Sequence, residues 1–236
     1  MAEVTPADVH HGVTDSPCCH SIAFVNKSRV ETFSDGVFAI AITLLVLTIA
    51  EPSNYNRLAN QLGQRWPDLA AYVVTFLVIG IMWLNHHTIF RYLGSVDRRL
   101  IYLNLFLLMT IAFLPYPTGI FGRALAHGRG ATTAAVFYSV TMFLNACCWA
   151  GLWLHASRGR RLLVPQFPEG NRRKMAIMFT GGTGAYAIAI GIAFVNAFAC
   201  LAFHGALAIY YALDPLSRGA EREMGGDGDL AGEVET

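Results

Sequence analysis

Long apolar runs separated by short polar stretches dominate this chain. Residues 1–26 are polar and mixed; an apolar run then covers 28–50 and stops at Glu51-Pro52. A polar connection at 54–64 leads to further apolar runs at about 68–90, 100–121 and 132–156. Each is long enough for a spanning helix, and none alternates with the period of two that a membrane barrel strand requires. A basic loop, 157–174, carries the helix breakers Pro165 and Pro168. The last apolar run, Met175–Leu213, has 39 residues. As one helix it would measure about 58 Å, nearly twice the ~30 Å hydrocarbon core. It must fold back, and Asn196 offers the polar turn. The pattern predicts an all-α polytopic membrane protein with six spans in a domain at 28–213. Tails at 1–27 and 214–236 are expected to be disordered.

Charge gives this pattern an orientation. With six spans, the N-terminal side of the membrane holds thirteen Lys and Arg residues and the other side four: Arg57, Arg65, Arg123 and Arg129. Cytoplasmic loops carry the basic excess, so both termini are expected in the cytoplasm of a multi-pass protein of the cell membrane. The composition agrees: 54% of residues are hydrophobic and 14% charged, against about 25% charged in soluble domains. A net charge of +1 gives no case for a nucleic-acid partner.

Ionisable residues at membrane depth are costly and mark candidate sites. Asp35 lies about 9 Å along the first span from its inner end. The second span runs the opposite way, and its inner end carries Trp83, Asn85, His86 and His87, which reach a similar depth. A cluster of Arg29, Ser34 and Asp35 with a histidine of the second span is expected. Adjacent residues point about 100° apart on a helix, so one of His86 and His87 at most faces Asp35. Such a cluster either clamps the first span to the second and to a neighbouring subunit, or titrates near neutral pH and biases gating. Isolated His204 is expected to be packed or hydrogen-bonded. The glycines of GGTGAY (Gly181, Gly182, Gly184), with Gly191, read as a close-packing surface rather than a carbonyl filter.

Enzyme and metal chemistry find little support. No GxSxG or HExxH pattern is present. Cys147, Cys148 and Cys200 lie in apolar runs and read as small buried hydrophobes. Cys18-Cys19-His20, with His10 and His11, has no zinc spacing and is at most an opportunistic metal binder. No metal site and no cofactor are expected.

The first span itself has a stripe. Ile40, Thr43, Leu44 and Leu47 recur at i, i+3, i+4, i+7 and share one face. By itself an apolar stripe on a spanning helix signifies packing, and a lone Thr there back-bonds to its own helix. The wider context changes that reading. RVETFSDGVFAIAITLLVL resembles the first-span signature RxxxFSD of the lysosomal potassium channel family (transmembrane protein 175-like) and its prokaryotic relatives. Arg29, Phe33, Ser34 and Asp35 fill the signature, and Trp83–His87 (WLNHH) is also similar. The resemblance implies a homotetramer whose four first spans line a potassium-permeable pore. Ile40 would be its apolar constriction, Thr43 a hydroxyl ring, Leu47 a second apolar ring and Leu44 their neighbour. Trp83, His86 and His87 would be the partners of the signature residues. Glu51, four residues beyond Leu47, would sit at the outer mouth; the family pattern carries its acid directly after LLVL, where this chain has Thr48.

The expected function is therefore passive cation conduction, with potassium ions and the lipid bilayer as partners. The rival reading is a proton-coupled secondary transporter using Asp35 and a histidine of the second span. An inverted repeat would favour it, but residues 28–121 and 132–213 show no convincing similarity.

Overall fold

The computed structural model describes residues 26–49, 51–52, 55–158, 162–165, 167 and 169–213. The cysteine and histidine cluster at 10–20 and most of both tails lie outside the described residues. Eight α-helices are present among the described residues: α1 (Lys27–Leu44), α2 (Leu58–Gln64), α3 (Trp66–Tyr92), α4 (Arg98–Phe113), α5 (Pro115–His127), α6 (Ala131–Ser157), α7 (Glu169–Val195) and α8 (Ala197–Leu213). Five stretches are long and apolar enough to cross a membrane, and Ala197–Leu213 adds a shorter apolar helix.

The helix limits follow local chemistry. Asn26 caps α1 by accepting from the Ser28 N–H, so Lys27 begins the helix rather than ending the tail. Lys27 Nζ then donates to Leu93 O at 2.8 Å, tying the start of α1 to the end of α3. Leu45–Thr48 tightens into a 3-10 turn at the far end of α1. The third span is jointed at its prolines. Pro115 has no N–H to donate to the preceding turn, so α4 gives way at Leu114 to α5, which resumes through Thr118 N–H to Leu114 O. This span continues to His127, six residues past the apolar run, until Gly128 closes it at φ 65°.

The turn at Asn196 is present and takes a single residue. Its side chain accepts from the Ala199 N–H and so caps α8. The rings of Tyr186 and His204 lie 5.6 Å apart; in a straight helix eighteen residues would separate them by about 27 Å. Gly182 faces α8 so closely that a Cβ there would sit 2.8 Å from the Tyr211 hydroxyl. The GGTGAY segment is thus continuous helix, with Gly182 at the packed surface.

Several buried polar side chains are paired across helices, as a low-dielectric interior favours. Thr118 donates to Thr75, which bonds the Tyr138 hydroxyl at 2.9 Å. Asn145 donates to Thr110. His204 bonds Ser139 at 3.1 Å between the rings of Tyr138 and Tyr186. Cys200 is buried, but Cys147 is exposed on the flank of α6, where an apolar thiol suits lipid.

Candidate functional site

Two faces of α1 have opposite surroundings. Val30, Ser34, Phe38, Ala41 and Leu45 are buried against the bundle. At 100° per residue they form one stripe, and Arg29, Phe33, Ile40, Leu44 and Leu47 form another on the far side. There Ile40 is 60% exposed, Leu44 43% and Leu47 75%. Thr43 is exposed between them. Its Oγ1 donates within α1, lying 3.0 Å from Ala39 O and 2.9 Å from Ile40 O. With the proton committed to the helix, the oxygen lone pairs are left for the open side.

The buried face carries the polar fastener. Ser34 Oγ donates to Val30 O at 2.8 Å and accepts from Asn104 Nδ2 at 2.9 Å. Asn104 Oδ1 meets His86 Nε2 at 2.9 Å. With this amide orientation His86 carries its proton on Nε2, and every bond in the chain has one donor and one acceptor. The His86 ring stacks on Phe90 at 4.2 Å and meets Phe38 edge-on at 5.4 Å. Beside this line, Trp83 Nε1 donates to Asp35 Oδ1 at 2.9 Å. His87 is exposed and stacks on Trp83.

The structure therefore brings Ser34, Asp35, Trp83 and His86 together and sorts the histidines: His86 enters the bundle and His87 does not. Arg29 and Phe33 lie on the outward face with the Ile40 stripe. The expected Asp35–histidine pair is replaced by two separate contacts, Asp35 with Trp83 and His86 with Asn104. Asn104 is the hub that sequence reasoning missed; its signal was a lone amide inside the third apolar run.

At the other end of α1, Arg123 Nη1 donates to Thr48 O at 3.0 Å, so α5 holds the tip of the helix. Glu51 is exposed beyond that tip. The helix has ended by Ile49, whose backbone is extended, so Glu51 is not on the i+4 position that would align it with Leu47.

A family model described as the endosomal/lysosomal potassium channel TMEM175 matches residues 29–115, which hold the whole fastener. A potassium channel of Streptomyces collinus is 47% identical over 190 residues, covering 79% of this chain and 92% of its own. The chain belongs to the TMEM175 family. Its fold is that of a solved lysosomal potassium-selective channel TMEM175 homologue from Chamaesiphon minutus. That structure matches with a TM-score of 0.72 at 34% identity, over 79% of this chain and 96% of that one. A Gallus gallus relative named an endosomal/lysosomal proton channel TMEM175 is 28% identical over 66% of this chain and only 33% of its own length. TMEM175 proteins are channels, not enzymes.

Proposed function

We propose that this TMEM175-family chain forms a potassium-permeable channel, in which four copies of α1 surround a pore lined by Ile40, Thr43, Leu44 and Leu47. The observation that carries the reading is the split of α1 into a packed face and an open one. The open face holds the stripe, with Thr43 turning lone pairs outward. From Ile40 to Leu47 is about 10 Å of helix, a short apolar collar able to close by dewetting. A ring of threonine oxygens inside it offers a cation partial ligands. Apolar rings do not replace a hydration shell, so ions would be compared by how readily they shed water, which favours potassium over sodium. Glu51 would concentrate cations at the outer mouth.

Arg29 and Phe33 share the open face, which supports their role as contacts to a neighbouring subunit. The Ser34–Asn104–His86 line and the Asp35–Trp83 bond then brace α1 from behind. Conduction needs no cofactor in this scheme, and positive-inside charge supports cytoplasmic termini in the cell membrane.

The test is ion flux from liposomes holding the purified full chain under a potassium gradient. Flux should follow the electrical gradient with no other ion required. Ile40→Asn should wet the collar, raise leak and weaken the preference for potassium over sodium; unchanged currents would remove Ile40 from the pore. The proton-coupled alternative keeps its candidates, Asp35 and His86, in one cluster. Strict dependence of potassium flux on a proton gradient, abolished by Asp35→Asn, would establish it over the channel.

A further inference from the structure

The inner end of the bundle carries a second feature that the pore does not use. An open pocket of about 920 Å³ is lined by Asp97, Arg98, Arg99, His155, Arg158 and Leu162. Two arginines come from the start of α4 and one from the end of α6, so three arginines from two spans line the pocket. The single carboxylate among them is already engaged. Asp97 caps α4 by accepting from the Leu100 N–H at 2.7 Å, and it takes His155 Nε2 at 2.9 Å. Three arginines against this one carboxylate leave the pocket a net positive field.

The pocket has a firm wall. Gly94 N–H donates to Leu162 O at 2.8 Å and Val164 N–H to Tyr92 O at 2.9 Å. This strap holds Leu162 in place as an apolar floor. Its depth is fixed by Arg98, whose guanidinium lies over the Tyr102 ring at 5.7 Å and donates to its hydroxyl. Exposed tyrosines at span ends belong to the headgroup layer.

We propose that this pocket binds a phosphate-bearing anion at headgroup depth on the basic side of the membrane. Guanidinium forks match phosphate oxygens in pairs. Basic pockets between spans on the cytoplasmic side hold anionic headgroups. Leu162 would meet the glycerol or acyl portion of a lipid, while a free phosphate would use the arginines alone.

The experiment uses the full chain in nanodiscs of phosphatidylcholine with a minor fraction of phosphatidylglycerol, and native mass spectrometry counts retained phosphatidylglycerol. Arg99→Gln and Arg158→Gln should each weaken retention about fivefold, the value of one basic residue near the surface. Arg57→Gln, an equal charge loss at the opposite end, should leave it intact. Arg158→Lys keeps the charge that orients the span, so it guards against misinsertion; it should retain less than wild type because it loses the fork. A second arm titrates inorganic phosphate into phosphatidylcholine-only discs. Saturable binding there, lost in the same variants, makes the free anion the occupant; its absence makes the lipid the occupant. Equal retention by wild type, both Gln variants and Arg158→Lys, with no phosphate binding, overturns the site.

Discussion

Asn104 joins three helices with one amide. It donates to Ser34 on α1 and accepts from His86 on α3 while sitting on α4. Replacing it with Leu keeps the branched shape, but Ser34 Oγ loses the donor it accepts from and His86 Nε2 loses its buried partner. The expected cost is about 1–3 kcal/mol, read as a lower melting temperature of the detergent-solubilised protein; an unchanged melt would mean that the line does no fastening. Asp97 supports a pH prediction outside the membrane. Burial alone would raise its carboxyl, but the Leu100 N–H and the His155 contacts together hold it below the usual carboxylate range. A depressed pKa stabilises above the unfolded value and is lost as pH falls through the folded one. Asp97→Asn still caps a helix, so it should melt with less pH dependence than wild type as pH falls below about 4. Parallel melting curves would contradict this. At this scale the sequence revealed Ser34, Asp35, Trp83 and the two histidines as a depth-matched group. It did not reveal which atoms pair, because that depends on helix rotation, and a lone Asn carries no spacing signal.

Among the elements, α5 shows how a helix is fitted to its neighbours. Gly119 and Gly122 face the α1 tip and α3: a Cβ on Gly119 would lie 2.9 Å from Thr48 Cβ, and one on Gly122 would lie 2.9 Å from the Asp68 Cα. Backbone cannot yield as a side-chain end can. Gly122→Ala should therefore push α5 from α3 and cost about 1–3 kcal/mol, despite Ala being the better helix former. Gly80→Ala is the control, since a Cβ there meets nothing within 4 Å in the protomer. Greater stability of Gly122→Ala than wild type would refute the close-packing account. The joint at Leu114 follows from Pro115, which has no N–H for the preceding turn. The extension to His127 was hidden by Arg123, whose charge ended the apolar run; in the structure Arg123 is used to hold the Thr48 carbonyl.

For the whole molecule, apolar run length and loop charge carried most of the fold. Five long apolar helices and a shorter sixth match the runs, and the fold-back at Asn196 followed from arithmetic on 39 residues. Assembly was not legible in the same way, since α1's open face looks like any lipid-facing stripe until the family signature is set beside it. One consequence of the single-residue turn concerns how the protein is made. With α8 only about 26 Å long and its cap supplied by Asn196, α7 and α8 share a junction with no loop to park in water. A pair so joined is suited to entering the membrane together, as one hairpin. A chain cut before α8 would leave the α7 surface at Tyr186 and Gly182 without the partner that covers it.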